Sequence, residues 1–346
     1  MRKHSNAFDL IRLVAASMVL WSHQHAVMGL SDPDAGLFHV IHGGYGVFIF
    51  FVVSGYLNTL SVIRHHSVPA FLISRGLRIY PALVVCIGFT VLVGACVAPD
   101  LRTYLDFKLL SFIGKDVTLF TGTKAGVSQP VFTGNVMPNA LNGSVWTLTY
   151  EVKMYVVLAL CLVALRYKPA AAIFVSGLGL IVFGFSALDT FWLQFSALFV
   201  AGSFVAAAQK LKNLAWPIVG LLLLACLFAA LGRSVFALYL VLTAAVITFG
   251  SVRLPRWLRP PLDLSYAIYL YAFPVQQLSA MLTKNFWIGL AFTATITVAL
   301  ALLSALLVEQ PAQRWKLTLG RRQAAAPAPR LAAADVIAAP TEAETV

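Results

Sequence analysis

Arg12 and His23 stand inside the apolar stretch FDLIRLVAASMVLWSHQH, residues 8–25, with ten residues between them. Eleven steps of about 100° close about three full turns, so both side chains share one helix face, roughly 16 Å apart along the axis. An ionisable group in an apolar span is costly and marks a path or a reaction centre by default. The plainer alternative has Arg12 reaching back to the headgroups and His23 making one interior hydrogen bond. A second cluster is SRGLRIYP, where Arg75 and Arg78 fall at i, i+3 and share a face at a helix start. Two guanidiniums so placed, each able to donate a pair of parallel hydrogen bonds, suit a phosphate-bearing ligand; ordinary anchoring on the cytoplasmic side competes with that reading.

The third cluster is NGSVWTLTYEVKMY. Glu151 lies about one turn inside an apolar segment, and a carboxylate at that depth needs a partner. A contact with Lys153 is weakened because residues two apart on a helix face different ways. His23 is expected at the same membrane face. A carboxylate bonded to an imidazole fixes its tautomer and raises its basicity, the arrangement of a general base. In GGYGVFIFFVVSGYL, residues 43–57, the glycines and Ser54 are read first as a close helix-packing surface.

The elements that must position these groups are membrane helices. Of 346 residues, 60% are hydrophobic and only 11% are charged, and the mean hydropathy is +0.85. A soluble domain carries about 25% charged residues, so the expected class is an all-α polytopic membrane protein. Cys86, Cys96, Cys161 and Cys226 all fall in apolar runs without CxxC spacing, which argues against a disulfide framework or a metal cluster. His23, His25, His39 and His42, with Asp32 and Asp34, match no metal-ligand spacing, and no metal site is expected.

Apolar runs of about 20 residues predict ten spans, at 10–28, 37–60, 79–98, 147–165, 171–188, 191–208, 214–231, 234–251, 264–282 and 286–308. The basic start followed by an apolar run imitates a secretion signal, but Asp9 and Arg12 interrupt it, and it is read as a retained first span. With both termini in the cytoplasm, the inner turns carry Arg64, Arg75, Arg78, Arg166, Lys168, Lys210, Lys212, Arg253, Arg256 and Arg259, and the outer ones far fewer basic residues. The net charge of +12 therefore reports topology and not nucleic-acid binding. Residues 99–146 form the longest polar insertion, an outer loop. Residues 321–346, Ala/Pro-rich and aperiodic, are expected to be a disordered cytoplasmic tail.

In order along residues 5–316, the quoted stretches resemble the acyltransferase family 3 membrane proteins, which include enzymes that O-acetylate bacterial surface polysaccharides, lipooligosaccharides and Nod factors. FDLIRLVAASMVLWSH resembles the family's R-x10-H span, GVFIFFVVSGYL its second-span signature and SRGLRIYP its RxxR motif. VWTLTYEVKMY resembles W-x-L-x-x-E-x-x-x-Y, LSYAIYLYAFPV the SYxxYLxHxPV stretch, and VEQP the closing E-x-P. One departure stands out: Ala272 occupies a place where the family often has histidine, and Ala272 cannot donate, accept or titrate.

The resemblance implies a membrane acyltransferase domain over 5–316 that takes an acyl group, most simply acetyl, from acetyl-CoA or another acyl-CoA made in the cytoplasm. The acceptor is a hydroxyl of a cell-envelope or exported carbohydrate or glycolipid, and the acyl-CoA is a co-substrate, with no permanently bound cofactor. Arg75 and Arg78 would hold the coenzyme's phosphates and Arg12 would line the path. His23, oriented by Glu151, would take the acceptor's proton. Ser54, Trp146 and Tyr150 are candidate acceptor contacts, although Trp146 and Tyr150 equally suit interfacial anchoring. The expected location is the lipid bilayer of the bacterial inner membrane. The rival reading is a transporter or flippase for a lipid-linked glycan, whose polar residues form a path without covalent transfer.

Overall fold

With no water in a bilayer core, each backbone N–H and C=O must be paired within its own segment, and helices satisfy that demand. The computed structural model describes residues 6–32, 41–65, 67–119, 122–123, 126–127, 129–211 and 213–315, and among these it is helical with no strand beyond isolated bridges. The helices are α1 (Phe8–Val27), α2 (His42–His65), α3 (Val68–Val97), then the short α4 (Leu101–Tyr104) and α5 (Phe107–Thr118). They continue with α6 (Trp146–Ala164), α7 (Pro169–Phe185), α8 (Phe191–Ala208), α9 (Ala215–Ala230), α10 (Ser234–Ser251), α11 (Ser265–Leu282) and α12 (Phe286–Ser304). Ten of the twelve coincide with the expected apolar runs, and six helical stretches are long and apolar enough to cross a membrane. The expected tail, together with His39 and Asp34, lies outside the described residues.

Local chemistry sets several boundaries. The Ser67 hydroxyl accepts from the Ala70 N–H at 3.4 Å, and Pro69 sits in the first turn, where its missing N–H costs nothing. That cap starts α3 at Val68 and not at the expected residue 79, so Arg75 and Arg78 lie two turns inside the helix instead of at its start. Asn285 caps α12 through the Trp287 and Ile288 N–H groups at 3.0 and 3.1 Å. Beyond Ser304 the helix widens into one π-helical turn, Ala305–Glu309, a distortion that often re-aims a side chain at a functional site.

In the bundle α2 packs between α1 and α8, α1 also lies against α11, and α11 lies against α12. The α2–α8 crossing is close because Gly55 meets the Phe199 backbone and Gly202 meets that of Val52; a Cβ at either would collide with main chain. The expected packing role of these span-two glycines is therefore met at Gly43, Gly46 and Gly55, where side chain or backbone of α1 and α8 fills the space a Cβ would need. α11 is buried on nearly every side, including Tyr266, Tyr269, Gln276 and Gln277. A helix enclosed by protein can carry such groups if each finds a partner.

The described residues between α3 and α6 form packed structure. α4 and α5 build a small core of Tyr104, Leu109 and Phe112 with Val131, Phe132 and Leu141. The stretch leading into α6 is tied to α11: Asn135 Nδ2 donates to the Gln277 carbonyl and side-chain oxygens, both at 2.9 Å. In return Gln277 Nε2 donates to the Met137 and Ala140 carbonyls, both at 2.8 Å.

Candidate active site

A cavity of about 810 Å³, counting its open mouth, lies among α1, α2, α3, α6 and α11. Arg12, Ser54, Arg75, Arg78 and Glu151 all line it. Five candidates from four separate helices thus converge on one space, together with Tyr155, Tyr266 and Tyr269.

The cations at the cavity are not equivalent. Asp263, in the connection before α11, accepts from Arg12 Nη1 and from Arg78 Nη2 at 2.6 Å each. Its other oxygen accepts from the Ser265 hydroxyl at 2.6 Å and the Ser265 N–H at 3.2 Å. Burial by itself would raise the Asp263 pKa, but the guanidiniums of Arg12 and Arg78 and the Ser265 bonds hold it well below the usual carboxylate range. Arg78 Nη1 also reaches Glu309 Oε2 at 3.2 Å, which the π-helical turn brings round to α3. Arg75 forms no ion pair among the described residues: its Nη2 donates to Ser74 Oγ at 3.3 Å, and its buried Nε has no hydrogen-bond partner. A buried N–H on a permanent cation at a cavity wall is a ready donor for an anion.

Glu151 is held by its neighbours. Ser54 donates to Glu151 Oε1 at 2.8 Å and the Tyr155 hydroxyl donates to the same oxygen. Asn58 Nδ2 donates to Ser54 Oγ at 3.0 Å, which leaves the serine proton for the carboxylate. Ser54 is therefore a partner of Glu151 as well as a wall of the cavity.

His23 is not among the residues that line the cavity. Its Nδ1 is 3.5 Å from Ser144 Oγ, and its ring meets Phe273 edge-on with centroids 5.4 Å apart. Glu151 lies five residues down α6 from Trp146, about 7.5 Å along the axis, and its carboxylate bonds Ser54 and Tyr155 rather than the imidazole. Between them the Tyr269 hydroxyl donates to the Ser144 carbonyl at 2.6 Å and shares a hydrogen bond with Thr147 Oγ1; Tyr269 and Thr147 both line the cavity. Ala272 is buried directly beside Phe273. Trp146 and Tyr150 lie on a different face of α6, in an aromatic cluster where Trp146 meets Phe191 at 4.9 Å and Tyr150 meets Trp192 at 5.9 Å.

A family model described as an acyltransferase domain matches residues 5–309. The chain belongs to acyltransferase family 3. It is 31% identical over 329 positions to an O-acetyl transferase of Shigella phage Sf6, covering 88% of this chain and 95% of the relative. It is also 31% identical over 363 positions to nodulation protein 10 of Rhizobium leguminosarum bv. viciae, covering 92% and 96%. No solved structure matches. The acyltransferase carries its three arginines and Glu151 on one cavity, a grouping that the separate motifs left implicit.

Glu309 and Tyr269 stand in the E-x-P and SYxxYL stretches without a role, and the motifs assign none to Asp263, Asn58 or Ser144. The signal for the acids was available: the chain has 13 acidic residues against 25 basic ones, so the few carboxylates at helix ends are where buried arginines must find partners.

Proposed function

We propose that this acyltransferase moves an acetyl group from cytoplasmic acetyl-CoA to a hydroxyl of a cell-envelope or exported carbohydrate, across ten spans with both termini in the cytoplasm of a bacterial inner membrane. The observation that carries the reading is the shared cavity: an uncommitted Arg75 beside Arg78 and Arg12, with a fixed carboxylate at Glu151 facing the same space. An anionic thioester donor fits such a site, because guanidiniums match phosphate oxygens while the apolar walls of Val47, Phe50 and Leu57 fit its uncharged arm.

In this reading the coenzyme's phosphates bind first at Arg75, whose donors are not occupied by a carboxylate. Arg12 and Arg78, braced by Asp263 and Glu309, shape the wall beside it. His23 accepts the proton of the acceptor hydroxyl, the oxygen attacks the thioester carbonyl, the C–S bond breaks, and the departing coenzyme thiolate takes up the proton that the His23 imidazolium gives back. Glu151, fixed by Ser54 and Tyr155, holds a carboxylate at the cavity wall beside Arg75. The relative named an O-acetyl transferase supports acetyl as the transferred group.

The test is incubation of membranes with labelled acetyl-CoA, following label into cell-envelope fractions for wild type and His23→Ala at equal protein level. Loss of transfer with His23→Ala is expected; a normal rate overturns the assignment of His23.

A further inference from the structure

α6 and α7 are joined by a turn of only four residues, 165–168, yet α7 packs on α8 and not on α6. Helices linked so tightly ordinarily lie side by side. Here they splay, and the space between them is a slot of about 1050 Å³, counting its open side, roofed by α8. Its walls are apolar: Leu158, Cys161 and Leu162 on α6, Val175 and Gly179 on α7, Val200 on α8. Val157 and Val175 on its rims are 53% and 42% exposed, so it opens sideways from the bundle.

The turn at one end of the slot is unusual in two ways. Arg166 and Tyr167 both hold left-handed backbone, φ 50 and φ 56, although neither is glycine, a conformation that costs of order 1 kcal/mol or more per residue. The same turn puts two exposed cations, Arg166 and Lys168, directly after Leu165, itself a wall of the slot. At the opposite end stands Trp192, a residue suited to the membrane–water interface.

We propose that this slot binds one hydrocarbon chain of an anionic phospholipid, with the headgroup phosphate at Arg166 and Lys168. A lipid-facing, largely apolar gap between splayed helices cannot hold water cheaply, and its lining, running from Leu165 beside the basic turn to Trp192, suits a single hydrocarbon chain. The basic end selects the headgroup. The lipid completes the contact that α6 and α7 do not make themselves. The inference rests on membrane embedding and not on the acyl-transfer reading.

Full-length protein is reconstituted in phosphatidylcholine vesicles doped with phosphatidylglycerol carrying a photoreactive diazirine in one chain, irradiated, and the adducts mapped by mass spectrometry. Adducts are expected to concentrate on the slot, at Val157, Cys161, Val175 and neighbours, and to fall on adding unlabelled phosphatidylglycerol but not more phosphatidylcholine. R166Q and K168Q, both at exposed positions, are each expected to lower slot labelling about fivefold, with adducts elsewhere unchanged as an internal control for folding. Labelling spread evenly over the lipid-facing sides of α3, α9 and α12, or equal competition by phosphatidylcholine, overturns the proposal.

Discussion

Asn142 donates its Nδ2 to the Leu270 carbonyl at 3.0 Å, and that carbonyl is the one Pro274 leaves without a helical partner. Proline has no N–H, so the bond from position 274 back to position 270 cannot form. The segment before α6 is keyed into that gap. Asn142 Oδ1 in turn accepts from the Ser144 N–H at 3.0 Å, which sets Ser144 beside His23.

Asn142→Ala removes both bonds and leaves Leu270 with only the weak Cys86 thiol donor at 3.3 Å. We expect a stability loss of about 1–3 kcal/mol, read as a lower unfolding temperature in detergent, and a fall in acetyl transfer as Ser144 drifts from His23. An unchanged unfolding temperature would show that the key does not hold.

Asp263→Asn withdraws the charge shared by Arg12 and Arg78, and breaking this part-buried pair from one side lowers the unfolding temperature, because it leaves two guanidiniums without their shared counter-charge. The pH dependence has a definite sign. The folded Asp263 pKa lies below that of the unfolded chain, about 3.9, so its contribution is complete above that value and is lost as pH falls toward the folded pKa. The unfolding temperatures of wild type and Asp263→Asn should therefore differ by a constant amount from pH 8 to about 5 and converge below about 4. A gap that closes near neutral pH contradicts the ion-pair assignment.

Arg75 and Arg78 should separate in a kinetic comparison. Arg75→Gln removes a cation that has no ion-pair partner among the described residues, so the KM for acetyl-CoA should rise about tenfold or more with the unfolding temperature unchanged. Arg78→Gln leaves Glu309 and half of Asp263 unpaired and should lower the unfolding temperature first. Equal behaviour of the two variants contradicts the distinction.

Glu151→Gln keeps the shape of the side chain and removes its charge. A drop in the initial rate of about 10²- to 10⁴-fold is expected in the labelled-acetyl assay. Ser54→Ala and Tyr155→Phe each remove one of the two donors to Oε1, and each should cost less than the loss of the carboxylate. A Glu151→Gln enzyme at full rate would remove this residue from the mechanism.

Arg75 and Arg78 show how far spacing alone carries. Their i, i+3 relation predicts a common face, and both do line one cavity. Spacing does not reveal that Arg78 is already neutralised by Asp263 and Glu309, 185 and 231 residues away in sequence, while Arg75 is not. Glu151 is similar: its depth in an apolar helix announces a need for partners, but two of the candidates, Ser54 on α2 and Tyr155 one turn along α6, could be chosen over His23 only by packing.

Hydrophobic runs of helical length, charge asymmetry and motif order depend only on local composition and on the demand of lipid for paired backbone groups, so the all-helical architecture and the polar residues Arg12, Arg75, Arg78 and Glu151 within it were already written in the chain. Which of those residues meet was decided by the crossing of α2 and α8 at Gly55 and Gly202, the carbonyl that Pro274 leaves open within α11 and the π-helical turn that ends at Glu309. Each of these depends on how surfaces distant in sequence fit together, and an ion pair takes its identity from separation in space, which residue spacing along one helix cannot encode.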